Sequence, residues 1–283
     1  FIDSIMYWIG YDIGSSSVKA ALIDSRDGRE IGRVQFPKSE MPITAPNPRW
    51  GEQDPEMWWK HTREATAELL KQTQTHPEQI RGIGISYQMH GLVAVDKELK
   101  VVRPSIIWCD SRAVATGAAL LDMVGASRCR EHLLNAPGNF TLSKLLWVKK
   151  HEPSNYARIH KIMLPGDYIA MRMSGTCSTT ASGLSEGIMW DFKTDSPAWW
   201  LLEASGVSSD LIPELVPTFG EQVQLNRVGA AELGLTEGIP VYYRAGDQPN
   251  NALSINIMQP GKLAATGGPT GVVYDAPSRS LTA

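Results

Sequence analysis

The stretch "YRAGDQPNNAL", residues 243–253, sets down one carboxylate, Asp247, among the amides Gln248, Asn250 and Asn251. A strand pattern, Val241-Tyr242-Tyr243, runs into Ala245-Gly246 ahead of it, and an apolar helical pattern follows. Such a carboxylate has two uses. It can cap a helix over 250–257. It can also take a proton from a hydroxyl in phosphoryl transfer, where positioning, charge neutralisation and an oriented nucleophile carry the reaction. One aspartate leaves both open.

A second chemical candidate is the turn Gly14-Ser15-Ser16-Ser17. Glycine lets a backbone turn tightly against a ligand. Successive amides with serine hydroxyls form an anion-binding nest, and Lys19 adds positive charge. Asp12, at the preceding strand end, would meet a phosphate through magnesium, which favours carboxylate and phosphate oxygens. The alternative is a plain hairpin with an aspartate capping it. "TGGPTG" at 266–271 repeats the theme with Gly267, Gly268 and Thr270, although Pro269 removes one amide donor. The two turns suggest a short internal duplication. "SYQMHG" (86–91) follows an apolar run with Gln88, Met89 and His90, and an imidazole offers sugar hydroxyls both a donor and an acceptor. In "WCDSR" (108–112), Asp110 and Arg112 read first as a local ion pair.

These residues need elements to hold them. Alternation predicts three strands, Tyr7–Asp12, Ser17–Asp24 and Glu30–Phe36, as an antiparallel meander. The four prolines between Pro37 and Trp50 predict a loop. Asp54 and Pro55 then read as N-cap and first residue of a helix with Trp58, Thr62, Ala65 and Leu69 on one face. "IRGIGIS" (80–86), "LVAVD", "SIIWCD" and "IPVYYRAGD" read as strands. Thr141–Lys150, Asp167–Met173, Ala230–Leu235 and residues 250–257 read as helices. "GLSEGIMWDF" reads as extended or turn-rich, and "KLAATGGPTGVVYDA" as a hairpin.

Composition bounds the rest. The 283 residues carry 27 basic and 30 acidic side chains, a net charge of −3. With no long single-sign run, neither nucleic acid nor an anionic membrane is an expected partner. Three cysteines, Cys109, Cys129 and Cys177, with no CxxC, speak against a disulfide framework or a zinc site and fit a reducing cytoplasm. No apolar run reaches the ~18 residues of a membrane span, and the first residues lack signal-peptide features.

In order, "IGYDIGSSSVKAALID", "RWGEQDPEMWW", "GIGISYQMHG", "IIWCDSR", "KLLWVKKHEP", "LPGDYIAMRMSG" and "AGDQPNNA" resemble the FGGY carbohydrate kinases, and among them those acting on xylulose. The resemblance runs from about residue 7 to 275. It implies an α/β, ribonuclease-H-like (actin/hexokinase-type) sheet with flanking helices. Residues 7–250 would be the sugar-binding N-terminal domain, and 251–283 the opening helix and hairpin of a C-terminal domain whose remainder is absent. It implies ATP and Mg2+ as cofactors and phosphorylation of a keto-sugar, D-xylulose to D-xylulose 5-phosphate first among them, the alternatives being a kinase for another ketose or a polyol, or a non-catalytic sugar-binding module. Asp247 answers to the catalytic base and, with Gln248, Met89 and His90, to the sugar contacts. Asp12 answers to the magnesium-side carboxylate. Gly14, Ser15, Ser16, Ser17 and Lys19 answer to the first phosphate turn, and Gly267, Gly268 and Thr270 to the second. Trp50–Asp54 and Asp110–Arg112 would lie near the sugar. Gln248 stands where such enzymes often carry asparagine, and Pro269 where they carry threonine. With the adenosine-binding half absent, the chain alone is expected to bind sugar without phosphorylating it. Its uncovered edges leave a homodimer open.

Overall fold

The computed structural model describes residues 5–257, 259–266 and 272–275. Its centre is a six-stranded sheet. Strands β1 (Tyr7–Ile13), β2 (Val18–Asp24) and β3 (Glu30–Phe36) form the expected meander. Strands β4 (Ile80–Tyr87), β5 (Phe219–Gln224) and β6 (Pro240–Gly246) complete it in the order β5-β6-β4-β1-β2-β3. The three middle strands, β6, β4 and β1, run parallel. Their registers align Ile13 with Tyr87 and Tyr87 with Gly246. Three strand ends therefore finish on one line. Neighbouring strands are ~4.8 Å apart, so the chains leaving β1 and β6 start about 10 Å from each other. In open α/β sheets, this is the edge at which ligands bind.

One sheet face is filled by Ile9, Tyr11, Ile13, Val18, Ala20, Leu22, Ile83, Ile85 and Val241, all at most 2% exposed. The helix α1 (Pro55–Thr73) covers it with the predicted stripe of Trp58, Thr62, Ala65 and Leu69, each fully buried. Asp54 caps α1 by accepting the Glu56 amide at 3.0 Å. A second apolar cluster, around Leu142, Leu145, Val148, Leu184 and Leu201, lies beneath helix α2 (Thr141–His151) and its neighbours. Helix α3 (Pro165–Ser174) belongs to the first cluster.

Several elements differ from their sequence expectation. Of 183–192, read as extended or turn-rich, the first residues belong to a short helix, α4 (Ala181–Glu186), while Trp190–Asp191 is extended. Gly183 and Ser185 favour helix poorly, but the Thr180 hydroxyl accepts the Gly183 amide and Leu184 is buried, so capping and packing override propensity. Helix α5 spans Arg227–Leu233 rather than 230–235, because Asn226 caps it and Gly234, at φ +68°, ends it. Helix α6 begins at Asp247, not at residue 250. Pro249 falls in its first turn, where no amide is needed. Two helices, Val114–Val124 and Ala126–His132, had no specific sequence assignment. Near the end, Leu263–Thr266 pairs antiparallel with Val272–Asp275, outside the central sheet.

Candidate active site

Asp247 does not cap a downstream helix. It is the first residue of α6, with Gly246 in the N-cap position. Its half-buried carboxyl accepts hydrogen bonds from the main chain and side chain of Gln248. Burial raises its pKa first, and the charge of Asp12 raises it further. The first and last strand ends are therefore in electrostatic contact, as the parallel register requires. Asn250 ties α6 back to its strand by donating to the Ala245 and Gly246 carbonyls at 2.8 and 2.9 Å.

The turn after β4 comes up against this strand end. A Cβ on Gly246 would lie 2.5 Å from Met89 Cγ and 3.1 Å from Glu186 Oε2, so only glycine lets Met89 lie there. His90 has φ +60°, in the left-handed region unfavourable to most side chains. Such a conformation persists only where its surroundings enforce it, and here they do. The fully buried Lys144 of α2 donates to the His90 carbonyl at 2.6 Å and to the Ile107 carbonyl at 3.1 Å. Its burial lowers its pKa to about 8. On the other side, the Glu186 carbonyl lies 2.8 Å from His90 Nδ1. A carbonyl only accepts, so Nδ1 carries the proton and Nε2 of the neutral ring is an acceptor. Phe140 packs edge-on against the imidazole at 4.6 Å. Met89, His90, Phe140, Glu186 and Pro249 line a cavity of about 390 Å³. Asp247 borders this region through Gly246 and is not among its lining residues. Gln88 is buried, its main-chain amide bonded to Ile13 O at 2.9 Å, and neither polar atom of its side chain has a protein partner.

Burial also lowers the His90 pKa from 6.5 to about 4. A depressed folded-state value means stability that is present above pH 6.5 and lost as pH falls through about 4. We expect imidazole NMR to find His90 neutral down to about pH 4 and acid unfolding to flatten in His90→Gln. Titration at the ordinary value would contradict the buried, Nδ1-protonated ring.

The turn after β1 is built as a closed hairpin. The Gly14 amide donates to Ser17 O at 3.1 Å, so any anion would draw on the later amides. Gln53, within the Trp50–Asp54 stretch expected near the sugar, instead holds this turn. Its Nε2 donates to Ser15 O at 2.6 Å, while its Oε1 accepts Trp58 Nε1 at 3.0 Å. Trp108 Nε1 donates to the Ser15 hydroxyl at 3.1 Å. Lys19 pairs with Asp12 at 3.1 Å on the surface, a contact worth little in water. The turn residues Gly267, Gly268 and Thr270 lie outside the described residues. Asp110 and Arg112 are the structural pair their spacing implied. Arg112 is also ion-paired with Glu52 at 2.7 Å and stacks on Trp50 at 3.8 Å, and Asp110 accepts the Gly51 amide.

The N-terminal-domain profile of the FGGY family of carbohydrate kinases matches residues 7–254. The chain belongs to that family. The xylulose kinase of Klebsiella pneumoniae is 34% identical over 271 residues, covering 94% of this chain and 54% of that protein. The Escherichia coli xylulose kinase is 32% identical with the same coverage. The crystal structure of the Rhodospirillum rubrum xylulose kinase superposes with a TM-score of 0.85 at 27% identity, over 94% of this chain and 54% of the other. The mixed α/β sheet with flanking helices is thus the FGGY fold. The chain spans about half the length of the curated relatives it matches. Among the described residues, no helix is long and apolar enough to cross a membrane.

Proposed function

We propose that the full-length protein phosphorylates a keto-sugar with ATP, most specifically D-xylulose to D-xylulose 5-phosphate. Residues 7–250 would form its sugar-binding domain and 251–283 the opening of the second. The reading is carried by Asp247. It stands at the end of β6, level with the Met89–His90 turn, in surroundings that raise its proton affinity. A carboxylate so placed takes the proton of the sugar's terminal hydroxyl as that oxygen bonds to the γ-phosphorus of ATP and the bond to the bridging β-phosphate oxygen breaks, releasing ADP. His90 Nε2 would accept a second hydroxyl, Met89 would supply an apolar wall, and Gln248, which holds Asp247, would contact the sugar.

The cation side fits the same line of strand ends. Asp12 and Asp247 repel each other, and a divalent ion between carboxylate and phosphate relieves such repulsion. Among the described residues, no three acidic, imidazole or thiol groups form a nest of their own. Magnesium would therefore take Asp12 together with phosphate oxygens and water, its usual preference. Bound there, it neutralises the transferring phosphoryl group. Ser15, Ser16 and Ser17 would hold the phosphates, and Lys19 would turn from Asp12 towards them. Gly267, Gly268 and Thr270 would cradle the other side.

A coupled ADP-release assay on the full-length protein tests the substrate. D-xylulose should give a kcat/KM at least ~10-fold above D-ribulose, xylitol and glycerol, since unpaired buried polar groups penalise a poorer partner. Glycerol or xylitol turned over as well as D-xylulose would overturn it.

A further inference from the structure

Glu186 appears nowhere among the residues that sequence marks for chemistry, yet it touches three segments of the site. Its Oε1 accepts the Tyr87 hydroxyl from the last residue of β4. Its Oε2 receives the His90 amide at 3.4 Å and lies 3.1 Å from where a Cβ on Gly246 would stand. Its carbonyl takes His90 Nδ1 at 2.8 Å. Residue 186 thus holds the Met89–His90 turn from below while abutting the strand end that delivers Asp247.

We propose that Glu186 is a positioning residue of the sugar site, which fixes the left-handed His90 turn and its acceptor Nε2 at a set distance from Asp247. This inference rests on the sugar-kinase reading above. Burial, with Asp167 and Asp247 nearby, raises its pKa well above the ordinary value. Glu186 acts through His90 and touches no reacting atom.

Two variants of similar volume test it. Glu186→Met removes both side-chain acceptors, and Glu186→Gln restores a neutral acceptor. Two readouts apply: D-xylulose affinity by calorimetry, and the imidazole 15N shifts of His90 without sugar. We expect Glu186→Met to weaken D-xylulose binding at least tenfold and to move the imidazole 15N shifts, as the turn, freed from the side-chain oxygens, shifts His90 Nδ1 away from the main-chain carbonyl of residue 186. Glu186→Gln should stay within threefold, with wild-type shifts. A folded Glu186→Met protein with unchanged affinity and unchanged shifts would overturn the proposal. Should that variant not fold, Glu186→Gln decides alone. A tenfold loss with wild-type shifts would make the carboxyl itself a sugar contact and end the positioning role. If wild type binds no ketose, the sugar reading fails, and the His90 shifts still judge Glu186.

Discussion

If the proposed phosphoryl transfer holds, replacing Asp247 with asparagine in the full-length protein should lower kcat by about 10²–10⁴, the usual worth of a general base, while the sugar KM changes less than tenfold. Asparagine keeps the shape and one oxygen acceptor, so the Gln248 contacts and the start of α6 survive. It cannot take a proton. The pH profile sharpens the test. The base works deprotonated, and burial and Asp12 raise its pKa above the ordinary 3.8. The wild-type rate should therefore fall as acidification crosses that raised value, and the residual rate of the variant should lack this limb. Stability should move the other way. A carboxyl whose folded-state pKa is raised contributes stability only at low pH, and loses it as pH rises through the folded value. At neutral pH, Asp247 therefore costs stability, and the asparagine variant should melt at the same or a higher temperature, as strained functional sites often do. A kcat within threefold of wild type would remove Asp247 from the base role.

What the sequence disclosed about this site, and what it hid, follows from contact range. The meander β1–β3 and the stripe of α1 were legible because alternation and 3.6-residue spacing are local signals, and Asp54-Pro55 announced the helix start. Asp12, Met89, His90 and Asp247 were legible as candidates because each lies at or just past a strand end, within two residues of a glycine. Their common line was not, since it depends on parallel pairings between residues far apart in the chain, such as Ile13 with Tyr87 and Tyr87 with Gly246. The supports were hidden for the same reason. Glu186 reaches Tyr87 across 99 positions, Lys144 reaches His90 across 54, and Gln53 reaches Ser15 across 38. The only local hint of Glu186 lay in a segment whose glycine and serines argued against helix. Its position became visible once Leu184 was seen in the core.

The same reasoning singles out Arg244, which carried no motif. Its side chain is wholly buried, three residues before Asp247. Nε donates to Asp167 at 2.7 Å, Nη1 to Gln222 at 3.1 Å and Nη2 to Ser178 at 3.0 Å. Asp167 in turn accepts the Leu164 amide at the start of α3 and the Thr179 hydroxyl. Arg244→Met fills most of the volume but leaves Asp167 charged and unpaired in the interior, which costs ~3–5 kcal/mol. At roughly 2–4 °C per kcal/mol for a domain of this size, the melting temperature should drop by about 10 °C. Asp167→Asn in the same chain removes the stranded charge and keeps an oxygen for Leu164 and Thr179. The double variant should therefore recover a large part of the loss, with a coupling of ~1–3 kcal/mol. Because Arg244 fixes the end of β6 against α3, the surviving folded fraction of Arg244→Met should also bind sugar more weakly than the double variant. A single variant melting within ~2 °C of wild type would mean the pair is dispensable. The placement of the β6 end beside the Met89–His90 turn would then rest on β-ladder pairing, Asn250 and Glu186.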